Sequence, residues 1–580
     1  MRDRFPAADE RAARKVLYRL MGCYTRAMLP QTRPALPVFF ALVVTALAPA
    51  HLAGQFTDAR LPSQGKLWLT VTPTLLNWSE QFALDSSAGI ADGEREPLAA
   101  HFDGPLARRM YPPPFALIQD LNSDAAALGF DPVMEDDFSF GGLDFSAMRA
   151  QIRRLGLGIE LGVLDWVSVG ARAPFTLTDM TVGFAFDSTA TVTGNAAAFE
   201  SGAPFLVDAR SALGDLGSLI AGGSLTGSTL QGAIALRSAA QDFVNALGRR
   251  AADGALIPTA SSAAGTQMAN RFTSFAEAFE ALGLTLPELA LPEFATEDDF
   301  DTLFLSQGFA DRLPTDTRNE LSLGEVELFV RVNLIDGITR RTPIPGRRDD
   351  VDAEAEPAPD PERGIRLRTT VGGLARLRIK NRNLTLFGNP TNSADIPIGD
   401  GQTDIELALY QDIAFGRSFM IRASARYGIQ RPDEEVVRFA PPDRPYVGEE
   451  LTTLMRRDLG DYLAILVRPS LRFNSALSVG IEYDYFRLPA PAYEFAGMVD
   501  GLDPNILAAE GAQTRHRLGV GLLLDISEAG GVEQLAEGAR PVRGAYQFGI
   551  SLRRAISGSG GLTPASFRYG AELRFPISVF

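Results

Sequence analysis

From Lys66 onward, apolar and polar residues alternate with a period of two in segments of about 10 to 15 residues. Between Ala476 and Leu488, Leu477, Val479, Ile481, Tyr483 and Tyr485 fall on one face, and Ser478, Gly480, Glu482 and Asp484 on the other. The preceding segment sets Leu463, Ile465, Val467, Leu471 and Phe473 against Arg468, Ser470, Arg472 and Asn474, and only Asn474-Ser475 separates the two. Phe419, Ile421, Ala423, Ala425 and Tyr427 likewise oppose Arg422, Ser424 and Arg426. Leu518, Val520, Leu522 and Leu524 alternate with Arg517, Gly519, Gly521 and Asp525. Successive side chains of a strand point to opposite sides, so each segment reads as a strand with one apolar face.

Length separates the two kinds of sheet that alternate in this way. Strands of soluble proteins run to about five or six residues. Tilted strands that cross a membrane need about 9–11, with aromatic residues where the apolar band meets the headgroups. A soluble sandwich turns its polar face to water and has no need of repeated arginines. The pattern therefore predicts an all-β fold, a transmembrane antiparallel β-barrel.

Strands are expected at 66–79, 151–164, 167–186, 323–335, 364–380, 404–416, 418–431, 461–474, 476–488, 514–527, 543–557 and 566–580. This makes about twelve, an even number as in bacterial single-chain barrels. Short turns at Asp165-Trp166, Gly416-Arg417 and Asn474-Ser475 alternate with long excursions at 83–150, 188–322, 381–403, 432–460 and 489–513. Short turns belong on the periplasmic side and long loops outside the cell, which leaves both ends of the wall periplasmic. Two connections, 336–363 and 528–542, are long for the periplasmic side and leave fourteen strands as the alternative. The last strand ends in Phe580, opposite in parity to the apolar stripe from Phe567 to Val579 unless Pro576 marks a bulge.

The excursion 188–322 reads as a helical insertion between the third and fourth strands. Phe272, Phe275, Phe279 and Leu282 recur at three- and four-residue spacing, and Leu230 to Leu247 is similar. It is expected to cap the extracellular side or to fold into the lumen, with a separate domain as the alternative. Residues 346–363 read as an acidic, proline-rich disordered linker.

Residues 36–47 (LPVFFALVVTAL) form a short apolar run preceded by Arg26 and Arg33 and followed by Ala48-Pro49-Ala50. A basic flank, a short apolar core and a small-x-small site make a secretory signal. Residues 1–50 are therefore expected to be a leader and signal peptide, with 51–580 as the barrel. Export and signal removal place the chain in the cell outer membrane. No later run is apolar enough for a spanning helix.

The chain of 580 residues has a net charge of −16, one cysteine, three lysines and a mean hydropathy of +0.01. The acidic balance argues against nucleic-acid binding, and a single cysteine excludes a disulfide framework. Residues 51–580 carry −21, and the stretches 83–150, 188–322 and 346–363 carry −8, −9 and −4, which account for all of it. The wall is thus neutral in total, its arginines balanced by carboxylates. The three histidines, His51, His101 and His516, assemble no catalytic constellation, so no enzymatic activity, cofactor or metal is expected. The cluster Glu297, Asp298, Asp299 and Asp301 matches no calcium-loop spacing.

Residues on the polar face of the wall are expected to line the lumen. The candidates are Arg366, Arg368, Arg376, Arg378, Arg422, Arg426, Arg468, Arg472, Glu325, Glu327, Asp404 and Glu406. In an antiparallel wall, Glu325 and Glu327 should lie beside Arg376 and Arg378, with Asp404 and Glu406 on that strand's other side. Such charges either fill the interior as paired ions or line an anion-tolerant pathway.

Residues 387–416 (FGNPTNSADIPIGDGQTDIELALYQDIAFG) are the most distinctive run in the chain. With the strand of Arg366 and Arg368 and the hairpin strand at 418–431, they resemble a family of outer-membrane barrels linked to the meta-pathway of phenol degradation. That family is loosely akin to the long-chain fatty-acid transporter group. The resemblance covers roughly 365–490 and implies passive transport of small hydrophobic or aromatic solutes. In the fatty-acid group an N-terminal hatch plugs the lumen. Here only about fifteen residues separate the expected cleavage site from the first strand, which argues against one. The expected partners are outer-membrane lipid, the barrel-assembly machinery through the C-terminal strand, and a small-molecule solute. The alternative is a non-transporting surface scaffold or adhesin with large acidic loops.

Overall fold

The computed structural model describes residues 58–83, 93–111, 113–191, 193–195, 204–293, 317–318, 321–338, 364–377, 396, 401–441, 444–447, 451–474, 476–497, 502–508, 511–525, 546–560 and 563–579. Twelve long strands make the wall: β1 (Lys66–Trp78), β2 (Phe140–Leu164), β3 (Val167–Thr191), β4 (Val326–Asp336), β5 (Ile365–Leu377) and β6 (Asp404–Phe415). They continue with β7 (Phe419–Gln430), β8 (Tyr462–Arg472), β9 (Leu477–Leu488), β10 (Gln513–Asp525), β11 (Gln547–Ser559) and β12 (Phe567–Ser578).

Each strand pairs antiparallel with the next in the chain, and β12 pairs with β1 from Lys66↔Ser578 to Asn77↔Phe567. The sheet is therefore a closed barrel. Because β4 pairs directly with β5, and β10 with β11, the ring has no place for a further strand pair. The alternative of fourteen strands falls for that reason. The β12–β1 register runs through Trp68↔Pro576 without a shift, so no bulge is present at Pro576. Residues 1–57, the linker 346–363, residues 297–301 and Phe580 lie outside the described residues, and so do the expectations placed on them.

The alternation in sequence becomes an alternation in burial. Ile481 is 55% exposed beside Glu482 at 0%, and Leu407 is 58% exposed beside Glu406 at 1%. The exposed apolar face continues around the ring through Ile159, Val330, Leu367, Val520, Ile550 and Ile577. Aromatic residues flank it at both ends. Trp166 and Phe473 lie at the short-turn end, and Tyr427, Tyr483 and Tyr569 toward the long-loop end. His516 sits in the latter girdle, its Nδ1 2.7 Å from the Tyr483 hydroxyl.

Local chemistry fixes the short turns. Asn474 Oδ1 accepts from the backbone N–H groups of Ala476 (2.9 Å) and Leu477 (2.7 Å), an Asx turn that starts β9. Gly416, between β6 and β7, takes φ 57°, the left-handed region that glycine enters without steric cost. Gly428 faces Tyr462 across β7–β8, and a Cβ there would lie 2.2 Å from the tyrosine ring. The Gly428→Ala variant is expected to displace Tyr462, break its 2.6 Å hydrogen bond to Glu406, and lose about 1–3 kcal/mol. Urea unfolding of the detergent-solubilised protein checks this.

The largest departure from the expected strands is the β2–β3 hairpin, 25 residues on each side. Residues 140–150 were expected within a loop. Register shifts at Phe140/Gly142 and Phe145/Ala147 interrupt this stretch, and each resets which parity faces inward, erasing the period-two signal.

The upper half of this hairpin carries the helices α1 (Phe115–Ser123), α2 (Pro204–Ala221), α3 (Gly227–Asp253) and α4 (Ala263–Glu280). The Ser262 hydroxyl caps α4 by accepting from the Gly265 N–H at 2.9 Å. Phe272, Phe275 and Phe279 of α4 are buried, as their spacing predicted. Arg250, 2% exposed, ties α3 to α1 through Asp120 at 2.8 Å, and to Asp124 at 3.1 Å. The helices share one apolar core with Phe102, Leu106 and Met110 of the β1–β2 loop and with Met148, Ala150, Ile152 and Met180 of the hairpin. Helices, loop and hairpin are thus joined by one continuous core.

Candidate functional site: the barrel interior and its two closures

Met148, Ala150 and Ile152 have the same inward parity as Arg154 and Glu160, and Met180 pairs with Ala150. The helical core therefore lies on the inner side of the hairpin, over the long-loop mouth. Loops from the far side of the ring join it. Ile396 of the β5–β6 loop and Tyr446 of the β7–β8 loop are buried in the same core. The Tyr446 hydroxyl donates to Phe102 O at 2.9 Å. Burial raises the pKa of this phenol, so it stays protonated as a donor. Nearby, Glu96 accepts from Gln81 at 2.9 Å and lies 3.1 Å from His101. Burial alone would raise its pKa, but the bonds from His101 and Gln81 hold it below the usual carboxylate range.

Below the cap the interior is filled by two tiers of ions. In the tier nearer the short turns, Arg368 is 2% exposed and contacts Asp412 at 3.2 Å and Asp336 at 3.1 Å. Arg331 reaches Glu160 at 3.3 Å and stacks on Tyr410, 4.6 Å from the ring centre. Arg422, 5% exposed, belongs to this tier. In the upper tier Arg376 is ringed by Glu325 and Glu327, each at 3.7 Å, and by Asp404. Arg426 meets Glu406 at 3.4 Å, and Arg172 meets Glu327 at 3.0 Å. Arg468 meets Glu482 at 2.5 Å, and Arg553 also pairs with Glu482. Thr70, Glu160, Arg172, Tyr410, Glu572 and Arg574 line a cavity in this interior.

The pairing expected between Glu325, Glu327, Asp404 and Arg376 is thus present, while Glu406 turns away to Arg426 and the Tyr462 hydroxyl. Arg366 and Arg472 sit at the short-turn rim, where they line a shallow cavity with Arg417 and Phe419. Arg378 lies outside the described residues. Sequence reasoning left out Asp336, Asp412 and Tyr410, although the inward parity of Asp412 and Tyr410 was available to find them.

It also missed a short segment that enters the barrel ahead of the first strand. Residues 58–60, which precede β1, enter the lumen. Asp58 O accepts from Arg331 Nη2 at 2.5 Å, and Ala59 O accepts from the Thr370 hydroxyl at 2.5 Å. Arg60 pairs with Asp525 at 2.7 Å, and the Asp58 carboxylate lies 3.4 Å from Arg574. Burial alone would raise the Asp58 pKa, but Arg574, Arg60, Arg422 and Arg331 hold it well below the usual carboxylate range. Three residues thus bridge β4, β5, β10 and β12. A short lead-in suffices because each extended residue spans about 3.3–3.6 Å.

A closed antiparallel wall, apolar outside, aromatic at both rims and ionic within, defines a transmembrane β-barrel of the outer-membrane type. No family model and no curated protein matches the chain. Among solved structures it is similar to an outer membrane channel from Pseudomonas putida F1, with 7% identity, a TM-score of 0.36, and coverage of 91% of this chain and 100% of the other. It is similar to the Pseudomonas putida toluene transporter TodX, with 10% identity, a TM-score of 0.23, and coverage of 92% and 95%. It is also similar to the transport unit of the autotransporter AIDA-I from Escherichia coli, with 7% identity, a TM-score of 0.26, and coverage of 94% and 99%. Likeness at this level spans hydrocarbon channels and autotransporter barrels alike and does not discriminate between cargoes.

Proposed function

We propose that the protein is an outer-membrane barrel for the passive passage of small solutes, hydrophobic or aromatic in character, without cofactor or nucleotide. In this reading the chain is exported, loses its signal peptide, and is inserted by the barrel-assembly machinery acting on its C-terminal strand. Its apolar belt then contacts outer-membrane lipid. The inward-facing arginines and carboxylates, Arg368, Arg376, Arg426 and Glu406 among them, flank the solute's path.

The observation that carries the reading is what blocks the lumen. A small barrel is filled by its own side chains, and a wider one has room for something else. Here the lower interior holds a peptide segment, residues 58–60, tied by a few polar contacts just ahead of β1. A segment held in this way can be released without breaking the wall, whereas a scaffold needs no interior that opens. The apolar core of the cap supplies a mouth suited to a hydrophobic solute.

Planar-bilayer recordings, with uptake of a labelled aromatic hydrocarbon into proteoliposomes, test this. The chain lacking residues 51–60 is expected to conduct and to take up solute several-fold faster than the complete mature chain. Flux at the lipid-only level from both would favour the surface-scaffold reading.

A further inference from the structure

Strands β8 to β12 gather more positive charge than they neutralise. Arg517 is 1% exposed and Arg568 4%. Arg553 lies directly opposite Arg568 in the β11–β12 register, a like-charge pair that opposes folding by itself. Arg515, two residues before Arg517, rests 5.0 Å from the Phe486 ring. The carboxylates acting on this group are Glu482 and Asp484, and both are already engaged. Glu482 holds Arg468 and Arg553, and Asp484 lies 3.2 Å from Arg553. Glu572 acts on Arg468 but stands apart from the other four.

Among the described residues, five guanidiniums therefore share two carboxylates. Arg517 has one hydrogen bond, to the Ser566 hydroxyl at 3.0 Å. Arg568 has no hydrogen bond or ion pair among the described residues, and its Nε is buried without a partner. Toward the long loops, the small sheet of Glu80–Phe82, Arg95–Pro97 and Thr563–Pro564 packs Phe82 on Ala555 and Ala565. Charges enclosed in this way cannot rely on bulk water, and a buried ion without a counter-ion is strongly unfavourable.

We propose that Arg515, Arg517 and Arg568 form a site for a small oxyanion that resides in the barrel as their counter-ion. The excess charge suits a dianion such as phosphate. The planar guanidinium fork fits phosphate and carboxylate oxygens equally well, so the shared chemistry is an oxyanion held by two or three forks. The site is independent of whether solutes pass through the barrel. Arg568 lies on β12 and Arg515 and Arg517 on β10, so the bound anion would bridge strands that do not touch each other.

The test uses the full mature protein, folded in a zwitterionic detergent and stripped of anions by dialysis. Inorganic phosphate is expected to raise the midpoint of thermal unfolding saturably by about 3 °C. Sodium chloride at matched ionic strength should give less than half of that rise. Benzoate is the carboxylate arm; a saturable rise with it identifies a general oxyanion site, and no rise identifies a phosphate-type site. Arg568→Met is expected to abolish the phosphate effect while unfolding at or above the anion-free wild-type midpoint. Equal stabilisation by chloride, or an unchanged phosphate response in Arg568→Met, overturns the proposal. If that variant does not fold, equilibrium dialysis of phosphate against the wild type decides, and binding below one phosphate per chain overturns it. None of these readouts depends on solute flux, so their failure leaves the transport reading untouched.

Discussion

Replacing Glu482 with alanine is expected to destabilise the barrel by about 3–5 kcal/mol, the cost of leaving a buried ion without its partner. Glu482 is fully buried and is shared by Arg468, at 2.5 Å, and Arg553. Gly521 lies diagonally across on β10, where a Cβ would fall 2.2 Å from Glu482 Oε1, so the wall is hollowed to admit this carboxylate. Removing it strips a negative charge from a region already rich in guanidinium and opens a gap that neither arginine can fill. Glu482→Gln keeps the shape and loses only the charge, so its loss should be smaller than that of alanine. Urea unfolding in detergent, followed by tryptophan fluorescence, measures both. Equal midpoints for wild type and Glu482→Ala would mean that water reaches these ions and that the interior is open at this height.

Deletion of residues 196–316, with a short linker in their place, is expected to raise the flux of small solutes about tenfold, as removal of a lid does. The deletion takes away α2, α3 and α4 but keeps Thr317–Arg318 and Ser322–Leu323, which pair with β3. The wall hydrogen-bonds without the helices, so the variant should still fold and show the heat-dependent gel shift of a closed barrel. It loses the apolar mass that lies on Met148, Ala150, Ile152 and Met180. Unchanged flux would assign the closing role to residues 58–60 or to the β1–β2 loop, which contributes Phe102 and Met110 to the same core.

The wall was legible in the sequence because its two faces meet different environments, and the pattern records that contrast at every residue. Ile481 and Glu482 can be assigned from parity alone, and so can the meeting of Arg376 with Glu327 and Asp404. Reading failed where the period breaks or where no period exists. The upper half of the β2–β3 hairpin packs against helices, so its inner face is apolar as well, and its bulges shift the parity. Residues 58–60 belong to no regular element. Their place follows from Arg331, Thr370 and Asp525, which lie hundreds of residues away. Composition likewise says that arginines and carboxylates balance over the whole wall, but it cannot say that β8 to β12 hold a local surplus.

The pairing of β1 with β12 also bears on how the chain comes together. Leu67 meets Ile577 across about 510 residues, and closing a loop of that length costs about 5–6 kcal/mol of chain entropy. Neighbouring hairpins pay far less, so they form early and the seam last. Until then the molecule is a curved ribbon with two bare edges, each able to pair with any strand that approaches. A protein that shields one of those edges would govern both the rate of closure and the yield of monomer. The residues of β1 and β12 are therefore where kinetic variants should be sought.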